Sequence, residues 1–186
     1  DAYNHQLVLQ SSTTYTGPTI IGGGQQVLAL TGNGSISHSS LIFFGGGVNN
    51  STNTTIDVSG RSDQTLTLTS GQTLGGIGKV NGNLVVSAGA TIAPAGTNTT
   101  INITTGSNPT GALAVSGSVA LNGTTTLKLN GSGVNDQIQA GTGITYGGTL
   151  NLVNISGSPL AVGNSFQIFS ANNYSGSFTI TPATPG

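Results

Sequence analysis

The side chains able to do acid–base or metal chemistry are few: Asp1, Asp57, Asp63, Asp136, His5 and His38, spread over the whole chain. Metal binding and proton transfer need such groups gathered at one place. Asp57 and Asp63 are the one close acidic pair, and two neighbouring carboxylates could serve sugar-chain cleavage, one as acid and one as base. The local pattern argues against it. Asp57 alternates with Ile56 and Val58 and so faces outward, while Asp63 lies in a Gly-Arg-Ser-Asp turn beside Arg61, which predicts a solvated ion pair.

Serine is plentiful, yet no Gly-x-Ser-x-Gly elbow occurs, and neither histidine has an orienting acid nearby; His38, between Ser37 and Ser39, reads as an exposed strand residue. The glycine runs at 22–24 and 45–47 lack the Lys-Ser/Thr and following helix of a phosphate cradle and read as tight turns. Gly75-Gly76-Ile77-Gly78-Lys79-Val80 begins like a calcium-binding nonapeptide, but Val80 stands where the aspartate belongs, so the oxygen ligands are missing. Asp136 reads as a turn residue at the start of a strand. The sequence thus predicts no enzyme, no metal and no cofactor. Ten Asn-x-Ser/Thr triplets, at Asn33, Asn49, Asn50, Asn53, Asn98, Asn102, Asn122, Asn130, Asn154 and Asn173, leave glycan attachment open.

Whatever these groups do, strands must position them. Gly 31, Thr 28, Ser 21 and Asn 18 together make 98 of 186 residues, and only 4% of the chain is charged, against about 25% in ordinary soluble domains. The chain has no Glu, and Val, Ile and Thr make up 29% of it, so long helices are excluded and an all-β fold is expected. A formal charge of −1 offers no basic footprint to nucleic acid or to an anionic membrane, and no apolar run approaches a membrane helix. Cysteine is absent, so no disulfide contributes. The chain starts at Asp1 without Met, which reads as a processed fragment whose targeting segment was removed, hence an extracellular or cell-surface location.

Period-two alternation dominates, as in Leu66 to Thr69, Thr100 to Thr104, Leu127 to Leu129 and Thr149 to Leu152, each closed by Gly, Asn or Ser. A shared template of strand, Gly-containing break and second strand reads LTLTSGQTL from 66, LVVSAGATI from 84, LAVSGSVAL from 113 and IQAGTGITY from 138. Repetition at this scale predicts a parallel β-solenoid of about seven to nine rungs. An antiparallel β-sandwich is the alternative, favoured by Asn-Gly at 33–34, 81–82, 122–123 and 130–131, although solenoid corners want the same residues.

The segment GGIGKVNGNLVVSAGATIAPAG at 75–96 resembles the signature of bacterial autotransporter-associated β-strand repeat proteins, with Ala95 interrupting the final Pro-Gly. The resemblance continues through 136–157 and 163–178 and covers about 72–186. It implies a secreted or surface-exposed, passenger-like β-helix, a family defined by architecture rather than by a reaction.

Three parts follow: an N-terminal strand and linker over 1–18, open to exchange between subunits, a solenoid body over 19–178, and a Pro-containing tail over 179–186. The expected function is a secreted structural protein that assembles head to tail with copies of itself, Leu7, Val8 and Leu9 forming the contact. The alternative is a monomeric adhesin or binder of surface glycans exposing Tyr15, Phe43, Phe44 and Tyr174. With so few ionisable groups, stability is expected to depend little on pH.

Overall fold

The computed structural model describes residues 4–22, 25–45, 54–95, 97–98, 103–104 and 110–182. Every regular element among them is a strand. Three sheets hold nearly all of the strands, and with a single exception the pairing inside them is parallel.

The seven-stranded sheet is built from Asn4–Leu9, Gln25–Leu30, Thr55–Asp57, Gly78–Asn81, Ala112–Val115, Gln137–Ala140 and Phe169–Ser170, in that spatial order. In the eight-stranded sheet the order is Thr19–Ile21, Leu41–Phe44, Thr73–Gly76, Thr91–Pro94, Thr124–Asn130, Thr149–Asn154 and Thr179–Thr181, with Val134–Asn135 folded back antiparallel on Thr124–Asn130. The five-stranded sheet comprises Thr65–Leu68, Asn83–Val86, Val119–Leu121, Gly143–Tyr146 and Asn173–Gly176. From Thr55 onward the chain visits the sheets in constant rotation, seven-stranded, five-stranded, eight-stranded, so each circuit adds one strand to each wall. Before that, the third wall is represented only by a parallel bridge between Ser12 and Ser35. Among the described residues the chain therefore makes seven circuits. A separate antiparallel pair, Thr97–Asn98 with Ile103–Thr104, lies between the fourth and fifth circuits.

The sandwich alternative is not what forms. Of its four Asn-Gly signals, only Asn130-Gly131 sits at an antiparallel hairpin, where Leu129 faces Asn135 and Asn130 faces Val134. The other three lie at corners between parallel strands, and Asn83 there accepts hydrogen bonds from the Ser118 N–H (2.9 Å) and hydroxyl (3.0 Å) of the next circuit. Nor do the expected boundaries at residues 18 and 178 coincide with breaks in the sheets. Strand Asn4–Leu9 belongs to the seven-stranded wall, and Thr179–Thr181 is the last strand of the eight-stranded one.

Alternation explains the core. Leu28 is in register with Ile56, Ile56 with Val80 and Val80 with Val115, so one buried side chain stacks on the next from circuit to circuit. Parallel columns run Ile42, Leu74, Ile92, Thr125, Leu150 on the second wall and Leu66, Leu84, Val119, Ile144 on the third. Thr125 is the one polar member, and its buried hydroxyl has no hydrogen-bond partner. Phe44, fully buried, lies against backbone: a Cβ at Gly78 would come within 2.4 Å of its ring, and Gly76 holds φ at +88° beside its carbonyl. Only glycine fits there. Ala95, which interrupts the Pro-Gly of the repeat signature, adopts φ of +54°, the left-handed conformation glycine takes at low cost.

Candidate functional site

The acidic pair does not form a site. Asp57 lies between the buried Ile56 and Val58 and accepts hydrogen bonds from the Ser59 N–H (2.9 Å), the Ser59 hydroxyl (2.7 Å) and the Asn81 amide (3.0 Å). Partial burial pushes its pKa up, but those hydrogen bonds and the nearby Lys79 outweigh burial and leave it below the ordinary carboxylate value. Asp63 pairs with Arg61 at 2.9 Å, and that hydrogen bond, with help from the Thr65 N–H, lowers its pKa despite slight desolvation. Each carboxylate is thus engaged in its own turn. His38 is exposed but sits in a turn, its Nδ1 2.9 Å from the Thr13 carbonyl. No group of three or more His, Cys, Asp or Glu lies together among the described residues. Val80, in the place of a calcium-ligating aspartate, is buried in the core. Glycines 23–24 and 46–47, Asp1, and the triplets starting at Asn49, Asn50, Asn53 and Asn102 lie outside the described residues.

Asp136 stands at the entry to a strand, directly before Gln137–Ala140, as the sequence predicts, but it is fully buried there, with Lys128 Nζ at 2.6 Å. It also accepts hydrogen bonds from the Gly111 N–H (3.0 Å) and the Lys128 N–H (2.9 Å), while Lys128 Nζ donates to the Pro94 carbonyl at 2.8 Å. Burial raises its pKa above the ordinary value, and Lys128 with the two N–H groups offsets only part of that. The group ties three successive circuits together at the root of the 130–135 hairpin. One signal was available: Lys128 interrupts an otherwise uncharged strand, and Asp136 is the nearest acid.

The remaining unusual chemistry is at the two ends of the sheets. Leu7 is in register with Leu28 and Leu9 with Leu30, so both point to the core side of the wall, yet Leu7 is 61% exposed where Leu28 is 4%. Leu9 is half-buried against the core, while Leu7 is left largely open. Val8 instead aligns with Ala29 and Asp57, on the outward face, and does not join them. Leu7, Leu9, Tyr15, Ile20 and Leu28 line an open cleft of about 410 Å³. The linker part of 1–18 is fastened to the second circuit: Thr13 donates to the Ser35 carbonyl through its N–H (3.0 Å) and its hydroxyl (2.9 Å).

At the opposite end the core columns finish in Phe169, Tyr174 and Ile180, stacked on Ile138, Ile144 and Leu150. Phe169, Tyr174 and Phe178 surround Tyr146 with ring centroids 5.1, 5.9 and 4.9 Å away. Burial, reinforced by Tyr174, raises the Tyr146 pKa. Tyr174 and Ile180 remain 50% and 51% exposed. Of the four aromatic residues expected on an adhesive surface, Phe43 and Phe44 are buried, while Tyr15 and Tyr174 stand at opposite ends of the sheets. They make no common platform.

Comparison with family models, curated proteins and solved structures finds no match. No helix among the described residues is long and apolar enough to cross a membrane.

Proposed function

We propose that the three parallel walls form a β-solenoid and that the protein is a structural one, working outside the cell or on its surface by stacking head to tail with copies of itself. One observation carries this reading. The seven-stranded sheet begins with Asn4–Leu9 and finishes with Phe169–Ser170, and the eight-stranded sheet begins with Thr19–Ile21 and finishes with Thr179–Thr181. All these strands run in one direction, so a second copy set against the last circuit would continue both sheets through ordinary parallel pairing. Leu7 and Leu9 would then lie against Phe169 on the seven-stranded wall, and Thr19–Ile21 against Ile180 on the eight-stranded one, covering the exposed ends of the core columns. Such a contact joins two different surfaces, does not close on itself, and propagates as a filament.

The near absence of charge supports the same reading, because little electrostatic repulsion opposes the joint. Val8 is not part of it. The docked first strand favours stacking of intact ends over donation of that strand to a neighbour. We assign the chain no catalytic role and no glycan partner.

Electron microscopy and light scattering of the purified chain test the proposal. Wild-type protein is expected to form filaments, and Leu7→Asp with Leu9→Asp to leave particles of monomer size with the β signal unchanged. Deletion of residues 1–10 separates stacking, which loses only one strand and re-forms on Gln25–Leu30, from donation, in which polymers vanish. Wild-type protein that stays monomeric at all concentrations would refute self-assembly.

A further inference from the structure

One outward column of the eight-stranded wall differs from every other. Thr73 is the direct register partner of Thr91, Thr91 of Thr124, Thr124 of Thr149 and Thr149 of Thr179. Five threonines therefore stand in line on five successive strands, about 4.8 Å apart. Their chain neighbours Leu74, Ile92, Thr125 and Leu150 are buried, which turns the ladder to the outside. The spacing is held by one repeated contact: the N–H groups of the five donate to the carbonyls of Ser40, Gln72, Ala90, Gly123 and Gly148 in the preceding circuit, all at 2.9–3.0 Å. No register slip interrupts it.

Threonine's liking for strands does not account for this. The comparable column of the seven-stranded wall reads Thr55, Lys79, Ala114, Gln139, Ser170, and that of the five-stranded wall Thr67, Val85, Ala120, Thr145, Ser175. Thr67 and Thr145 are thus the only threonines in the second of these columns. In the uniform ladder no hydroxyl has a hydrogen-bond partner within the described chain, whereas Thr145 is bonded to Ser175 at 3.2 Å. The only charge on those strands, Lys128, is engaged by Asp136 and the Pro94 carbonyl.

From this periodicity we propose that the threonine ladder is a binding face for ice. Each site offers a hydroxyl, with one donor and two acceptor positions, beside a methyl group that orders the water around it. Repeated at the inter-strand spacing, close to the oxygen repeat along one axis of hexagonal ice, these sites hold water in rows that merge with the crystal. The ladder is uncharged, as the surface of ice is. A crystalline polysaccharide fits less well, because sugar faces stack on aromatic rings, and the one aromatic residue on this side of the wall, Phe43, is buried against Gly75. The inference does not rest on filament formation, and the face lies along the stack rather than at its ends.

Thermal hysteresis, crystal shaping and inhibition of ice recrystallisation by the purified chain test it. Wild-type protein is expected to shape crystals and open a hysteresis gap. Thr124→Tyr, in the middle of the ladder, should lose both, and Thr124→Ser should retain part. Thr145→Tyr on the five-stranded wall should behave as wild type, with circular dichroism verifying the fold of each variant and Thr149→Tyr replacing Thr124→Tyr if that chain misfolds. A folded wild-type chain with no hysteresis and no shaping overturns the proposal. So does equal loss in Thr145→Tyr, or retention on crystalline cellulose with no effect on ice.

Discussion

The first two circuits and the last two close the same three-walled stack by different means. In residues 4–44 the third wall is reduced, among the described residues, to the bridge between Ser12 and Ser35, and the gap beside Leu30, Ile36 and Ile42 is closed by polar groups. Gln72 is buried there, donating to the Ile36 and Ser39 carbonyls at 3.1 and 2.7 Å and accepting from the Thr69 N–H at 2.9 Å, while Arg61 donates to the Gly34 carbonyl. In residues 137–181 all three walls are present, and aromatic rings packed on one another stand at the last circuit, where the columns end. The lesson is that a wall can be replaced by hydrogen bonds only if every donor and acceptor behind it is satisfied, whereas a complete set of walls needs only apolar bulk.

The comparison breaks most sharply at the buried ion pair that braces the later circuits. Lys128→Met leaves Asp136 buried without its cation and is expected to cost about 3–4 kcal/mol at neutral pH. Chemical denaturation measures this, and the loss should shrink in acid as the carboxyl takes up a proton. In the early circuits the corresponding weak point is Gln72. Gln72→Leu preserves volume but strands two carbonyls and one N–H, for a loss of about 2–3 kcal/mol, while Gln72→Glu should be at least as damaging because it cannot donate to both carbonyls. If Gln72→Leu were neutral, the polar closure would have no energetic role.

Phe169→Ala, at the aromatic end, should cost about 2 kcal/mol, less than for a fully buried ring because Phe169 is only partly covered. Smaller, and opposite in sign, is Thr125→Val. Replacing a buried hydroxyl without a partner by a methyl group of similar shape should stabilise the chain by about 1 kcal/mol, read as a higher denaturation midpoint.

The smallest expected effect is on pH, where the carboxylates of the third circuit and Asp136 pull in opposite directions. Asp57 and Asp63, in the third circuit, have folded pKa values below the ordinary 3.8, so the stability they contribute is present above that value and lost as pH falls through their folded values. Asp136 has a folded pKa above 3.8, so in the interval between the two values the folded state binds more protons than the unfolded one, and stability rises as pH falls. Thermal midpoints should therefore climb slightly as pH falls through the raised folded pKa of Asp136 toward the ordinary 3.8, and decline as it falls further through those of Asp57 and Asp63. Asp136→Asn should abolish the climb and keep the decline.

Much of this architecture was legible in the sequence. Alternation at Leu66 to Leu68, Leu127 to Leu129 and Thr149 to Leu152 gave strands with the expected sides buried, because a period of two is a local property of the extended backbone. The scarcity of helix formers likewise pointed away from helices by composition alone, and every regular element among the described residues is a strand. The repeat was visible, but its period was uneven for a reason only topology reveals. The copies from 66 and 84 span the corner between the five- and eight-stranded walls, whereas those from 113 and 138 span the preceding corner, so the 29-residue step from 84 to 113 compares different walls.

Three things belonged to the tertiary structure. Asp136 looked like a turn residue until the 130–135 hairpin brought Lys128, eight positions earlier, over its carboxylate. Alternation put Val8 on the face opposite Leu7 and Leu9, but only pairing with Gln25–Leu30 made the Leu7 and Leu9 face the core side. The threonine ladder joins residues 18, 33, 25 and 30 positions apart, intervals with no common period. Sequence determines which side of its own strand a residue occupies; which residues share a column is decided by the lengths of the loops between walls, and those are fixed only when the circuits stack.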